Sequence, residues 1–145
     1  MGYVEKSLGS LLDEARRKIS RLEPQEAFAA AQAGALIVDI RGDNARMRDG
    51  VVPGALHVPR TVLEWRFAPD SEWRNREVGG HERRVIVLCD HGYSSSLAAA
   101  SLVDLGFSRA AEVIGGFDAW RAAGLPVARL RQRTDGGLPG MGPLD

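Results

Sequence analysis

Val85-Ile86-Val87-Leu88-Cys89-Asp90-His91-Gly92-Tyr93-Ser94-Ser95-Ser96, followed by Leu97-Ala98-Ala99-Ala100, decides the fold of this 145-residue chain. The β-branched run that opens it has the signature of a buried strand, and the Ser/Leu/Ala run that closes it predicts a helix with serine at its start. Between them lies a short polar loop holding Gly92, with the chain's single cysteine at its mouth. Backbone N–H groups of such a loop point inward, and the following helix start adds positive potential. Both favour the thiolate of Cys89 over the thiol. A free cysteine after Val-Ile-Val-Leu is also good core material. The loop argues against that bland reading, because a packing cysteine needs no anion-cradling turn behind it.

Outward from this segment, strand-like and helix-like stretches alternate. Leu8, Leu11, Leu12, Ala15 and Ile19 recur at helical spacing, with Ser10-x-x-Asp13 as a capping signature. The spacing predicts an amphipathic helix whose stripe covers the domain's own core, then a short edge strand over 19–22. Pro24 opens a second helix running to Ala31, closed by Gly34. Leu36-Ile37-Val38-Asp39-Ile40-Arg41 is a buried strand that turns polar at its end. Residues 50–59 form a loop enclosing a short strand, 61–67 a brief helix, and 68–83 a long polar loop. Gly106 stops the helix after the cysteine loop. Residues 111–114 form a strand, Gly115-Gly116 a turn and 117–123 a helix ended by Gly124.

Alternation of this kind implies an α/β fold: an open, mostly parallel central sheet with helices on both faces. Ligands of such sheets collect beyond the carboxyl ends of the strands. Cys89 lies on that rim, and Asp39 and Arg41, ending another strand, can share it. The expected organisation is an N-terminal helix over 1–18, a domain over 19–128 and a flexible tail over 129–145. That tail holds four glycines and two prolines in 17 residues.

Composition narrows the class further. The chain is 44% apolar with a formal net charge of zero, as expected of an ordinary globular domain. Of 19 basic residues only Lys6 and Lys18 are lysine; the other 17 are arginine. An equal number of acidic residues and the lack of a basic run exclude a nucleic-acid footprint. One cysteine rules out an internal disulfide and an internal resolving thiol. Residues 1–10 carry no signal-peptide pattern and no apolar run reaches membrane-spanning length, so no membrane partner and a cytoplasmic location are expected.

Four segments, in order, resemble the rhodanese-like domain, a sulfurtransferase module with an open α/β fold. They are Leu36 to Arg41, the strand that opens the domain; Gly50-x-x-Pro53-Gly54-Ala55-x-x-x-Pro59; Cys89-x-x-Gly92-x-Ser94-Ser95, similar to the active-site loop; and Gly115-Gly116-Phe117-x-x-Trp120-x-x-x-Gly124-x-Pro126, similar to the closing motif. The resemblance implies that Cys89 is the nucleophile and that Asp90, His91, Gly92, Tyr93, Ser94 and Ser95 form the anion cradle. It implies transfer of sulfane sulfur from thiosulfate or a related small anion, through a Cys89 persulfide, to cyanide or a thiol, including a protein thiol. No metal or cofactor is required, since loop N–H donors and a helix start stabilise an anionic persulfide.

In one place the loop departs from the resemblance: many family loops carry arginine where Ser94 stands. Arg41, Arg46, Arg60 and Arg66 are the candidates to supply a cation from elsewhere. Among the serines, at least one of Ser94, Ser95 and Ser96 caps the helix, leaving another to contact sulfur. Asp39 and Arg41 are read first as a structural pair, and His57, Phe117 and Trp120 as structural. His91 can protonate a leaving group or attract anions, with solvation as the plain alternative, and Tyr93, at the loop tip, can shape the entrance or bind an acceptor. Two other functions stay open: a non-catalytic sulfur carrier, sensor or regulatory binding module, and a cysteine phosphatase or arsenate reductase. The latter chemistry wants a loop arginine and a longer loop, and so ranks behind.

Overall fold

Side chains along a strand point alternately to its two faces. From Val85 onward this splits the core in two: Val85, Val87 and Cys89 join one apolar cluster, while Ile86 and Leu88 join the other. The computed structural model describes residues 4–130, so most of the expected tail over 129–145 lies outside the described residues. Among the described residues five strands form one sheet: β1 (Ser20–Leu22), β2 (Leu36–Asp39), β3 (Leu56–His57), β4 (Val85–Leu88) and β5 (Ala111–Val113). Their spatial order is β1-β5-β4-β2-β3, and every pairing is parallel. β1 lies at an edge, as its sequence predicts.

The helices are α1 (Leu8–Lys18), α2 (Pro24–Gln32), α3 (Asp43–Asp49), α4 (Leu63–Phe67), α5 (Ser94–Asp104) and α6 (Gly116–Ala122). Leu63 and Phe67 of α4 and Ala98, Ala99 and Leu102 of α5 cover the face that carries Val87. Ala27 of α2 and Phe117 and Trp120 of α6 cover the opposite face. Small residues on α5 let it approach the sheet closely, and α1 then packs across α5 as an outer layer. Ala15 is buried there, yet Leu8 and Leu11 of the same predicted stripe remain exposed.

Some local expectations are corrected. The cap of α1 is Ser7, whose hydroxyl accepts from the Ser10 amide at 3.0 Å, rather than Ser10 itself. The stretch 43–49, to which no element is assigned from sequence, forms α3. Arg46 is its only buried residue, so no apolar period announces it. The polar loop over 68–83 is anchored by Val78, which is fully buried in a short 3-10 turn, with the Asn75 side chain accepting from the Glu77 amide.

The chain leaves β2 toward β3 on one side and leaves β4 toward β5 on the other. The connections from the carboxyl ends of these neighbouring strands therefore diverge, and the crevice between them is where an open parallel sheet binds ligands. Ile40 and Arg41 follow β2 there, and Cys89 follows β4.

Candidate active site

Cys89 leaves β4 into the crevice with only 5% of its surface exposed. Its Sγ accepts a hydrogen bond from the Gly92 amide at 3.1 Å. To make that turn Gly92 takes φ +85°, and a Cβ there would lie 2.7 Å from the Gly115 nitrogen. Glycine is needed for both reasons. From the other side, the first N–H groups of α6 grip the loop. The Phe117 amide donates to the Cys89 carbonyl at 2.7 Å, and the Asp118 amide to the Asp90 carbonyl at 3.1 Å. These are donors that a helix start leaves without intrahelical partners. Gly116, at φ +64°, permits the approach, since a Cβ on it would sit 2.5 Å from the Cys89 oxygen.

A cleft of about 250 Å³ opens over the sulfur, lined by Ile40, Arg41, Cys89, Asp90, His91, Tyr93 and Ser94. The site thus gathers Cys89 with Asp90, His91, Tyr93 and Ser94, while Gly92 lies beneath the sulfur. Tyr93 and His91 are exposed at the lip. His91 is more than solvated: its Nδ1 lies 2.8 Å from Asp118 Oδ2 on α6. The first turn of α5 begins beside the thiol, and its dipole favours negative charge there.

Asp39 and Arg41 form the buried pair expected of them. Arg41 Nε donates to Asp39 Oδ1 at 3.0 Å and Nη2 to Oδ2 at 2.8 Å, with a further bond from Nη2 to the Gly50 carbonyl. The guanidinium stacks on Phe117, 4.0 Å from the ring centroid. Its Nη1 is buried with no hydrogen-bond partner among the described residues and lies 4.0 Å from Asp90 Oδ1. Among the four arginines considered as cations, only Arg41 lines the cleft. Arg46 bonds His57, Arg60 pairs with Glu64, and Arg66 donates to the Trp73 carbonyl. His57 is held at both ring nitrogens: Nδ1 accepts from Arg46 at 2.8 Å, which leaves Nε2–H to donate to the Arg41 carbonyl at 2.7 Å.

The serines differ from expectation. No side-chain cap bond closes the start of α5, where Tyr93 holds the cap position. Ser94 is exposed on the cleft. Ser95 and Ser96 are buried and donate to the two oxygens of Glu112 at 2.7 and 2.6 Å. Glu112, on β5, is fully buried and also accepts from Arg21 on β1 at 2.9 Å. Sequence reasoning passed over it. The available signal was a carboxylate inside the short apolar strand Ala111-Glu112-Val113, which demands buried partners.

A family model of the rhodanese-like domain matches residues 23–123. The thiosulfate sulfurtransferase GlpE of Haemophilus influenzae (strain PittEE) is 36% identical over 106 residues, spanning 73% of this chain and 91% of that protein. Among solved structures, a Rhodopseudomonas palustris CGA009 protein of unknown function, described as a possible tyrosine phosphatase, superposes with TM-score 0.79 at 32% identity. It covers 88% of this chain and 98% of its own. A thiosulfate sulfurtransferase of Pseudomonas aeruginosa superposes with TM-score 0.68 at 26% identity, over 84% of this chain and 22% of that one. With the cysteine loop, the double-glycine turn and the parallel sheet all in the family's order, the chain belongs to the rhodanese-like domain family.

Proposed function

We propose that this chain is a sulfurtransferase that carries sulfane sulfur on Cys89. The observation that carries the reading is the Cys89 sulfur itself, held by the Gly92 amide at the floor of a small cleft beside the start of α5. In the first step the thiolate attacks the outer sulfur of thiosulfate. A new S–S bond forms, the bond from that sulfur to the sulfonate sulfur breaks, and sulfite leaves with the electron pair. Cys89 is left as an anionic persulfide, which the Gly92 donor and the helix dipole stabilise. An acceptor, cyanide or a thiolate, then attacks the terminal sulfur, and the S–S bond breaks to return the Cys89 thiolate.

Arg41 Nη1 is the cation that faces the donor, and Asp90 competes for it. Residues 90–95 form the cradle, with Gly92 as its donor to sulfur. A loop of this size without its own arginine suits one sulfur atom better than a tetrahedral oxyanion, which favours sulfur transfer over phosphate chemistry. We take 19–128 as the rhodanese-like domain, with α1 as an added N-terminal element, and the cytoplasm as the location. Among the described residues no helix is long and apolar enough to cross a membrane.

The test is the intact mass of the reduced protein after incubation with thiosulfate, beside Cys89→Ser. The expected result is a gain of one sulfur atom by the wild type alone, removed by cyanide as thiocyanate. No gain would reject thiosulfate as donor. Loading without repeated turnover would instead identify a sulfur carrier.

A further inference from the structure

Beneath the cysteine loop lies a charged network reaching an element that the family match, which begins at residue 23, does not include. Arg16 on α1 donates from Nη2 to the Gly92 carbonyl at 3.1 Å and from Nε to the Ser96 hydroxyl at 3.0 Å. The Ser96 hydroxyl in turn donates a hydrogen bond to Glu112 Oε2, and Arg16 Nε itself lies 3.9 Å from that oxygen. Gly92 is thus gripped at both ends: its amide holds the Cys89 sulfur and its carbonyl is held by Arg16.

We propose that Arg16 is a positioning residue for Cys89, so that α1 completes the active site. This rests on the reading of Cys89 as the sulfur-accepting nucleophile. Arg16 does two things at once. It fixes the peptide geometry that aims the Gly92 N–H at sulfur, and it offsets the fully buried Glu112 carboxylate below the start of α5. A buried carboxylate short of compensation opposes negative charge nearby. Loss of Arg16 therefore loosens the donor and weakens the field around an anionic sulfur in the same direction. The other charged groups around the thiol are left in place: Arg41 after β2, Asp90 and His91 in the loop, and Asp118 on α6. Arg21 remains on Glu112.

The experiment compares Arg16→Gln, Arg16→Lys and, as a matched loss of one charge, Arg17→Gln on the exposed side of the same helix. Three quantities are read on the full chain at one pH: the rate of Cys89 alkylation by iodoacetamide, the first-turnover rate of sulfur uptake from thiosulfate, and the melting temperature. Arg16→Gln is expected to slow alkylation and uptake about tenfold, lowering the maximal uptake rate with little change in the thiosulfate concentration that half-saturates it, because Arg16 does not touch the donor. Arg16→Lys keeps the charge but cannot span Gly92 and Ser96 together, so it recovers part of the rate. Arg17→Gln leaves all three unchanged. Wild-type alkylation in Arg16→Gln, with or without a lower melting temperature, would overturn the proposal. If Arg16→Gln fails to fold, Arg16→Lys carries the test: a folded protein with slower alkylation supports positioning, and an unchanged rate overturns it. Alkylation needs no sulfur donor, so a wild type that takes no sulfur defeats the functional reading while leaving the role of Arg16 measurable.

Discussion

The charge that a dianionic donor meets at Cys89 is close to balanced. Among the described residues Arg41 is the only arginine on the cleft, but two of its nitrogens are committed to Asp39 and its third faces Asp90 at 4.0 Å. Ser94 adds no charge. An added cation on the cleft should therefore improve donor binding, and Ser94→Arg is expected to lower the KM for thiosulfate about threefold to tenfold at low salt. Asp90→Asn should act in the same direction by releasing Arg41 Nη1. Steady-state kinetics over a range of salt check both, and an unchanged KM in each would mean that backbone donors alone set affinity. Asp39→Ala has a different consequence. It strands the Arg41 guanidinium in the interior, and breaking a buried pair from one side costs about 3–5 kcal/mol, to be read from urea denaturation. The need of Asp39 and Arg41 for partners was legible in the sequence because polar residues ending an apolar run must face either a site or a partner, and that of His57 because Leu56 and Val58 flank it. Ser95 and Ser96 were misread for a definite reason. Capping is a local rule, whereas their partner, Glu112, lies on another strand and meets them only through the fold.

Among the elements, the contact that matters most is between the cysteine loop and the turn that starts α6. Gly116 lies against the Cys89 and Asp90 carbonyls, and the adjoining amides of Phe117 and Asp118 donate to those same two groups. Gly116→Ala would place a Cβ inside van der Waals distance of backbone that cannot swing aside, at a φ that non-glycine residues avoid. The backbone penalty alone is about 1–3 kcal/mol, and relief of the clash must push the loop off α6. The expected outcome is a lower urea midpoint together with slower sulfur uptake. A destabilised variant that loads sulfur at the wild-type rate would separate this turn from the site. The Gly-Gly pair was readable as a turn, but not as the support behind the cysteine loop, because closeness to Cys89 depends on the parallel pairing of β4 with β5. α3 was invisible for the opposite reason. Its one buried residue, Arg46, is a cation held by Asp39, Asp43 and His57, so no hydrophobic period marks the helix.

Across the whole molecule, two apolar clusters on opposite faces of one parallel sheet account for the fold, and α1 stands outside both as a second layer over α5. If residues 19–128 are the folding unit, deleting residues 1–18 should leave the sheet intact. The deletion removes the Ala15 packing and the Arg16 bonds to Gly92 and Ser96, all of which bear on α5 and the cysteine loop. Loss of a packed helical layer worth about 2 kcal/mol predicts a melting temperature lower by about 5–10 °C, with far-UV circular dichroism changed only by one helix. Because the retained clusters include neither Leu8 nor Leu11, unfolding should stay cooperative. A shortened chain that loses its cooperative transition would reject the boundary at 18/19 and make α1 part of the folding unit. If the transition survives while cysteine reactivity falls as in Arg16→Gln, the two levels separate: the sheet and its two faces specify the fold, and the added helix tunes the sulfur that the fold presents.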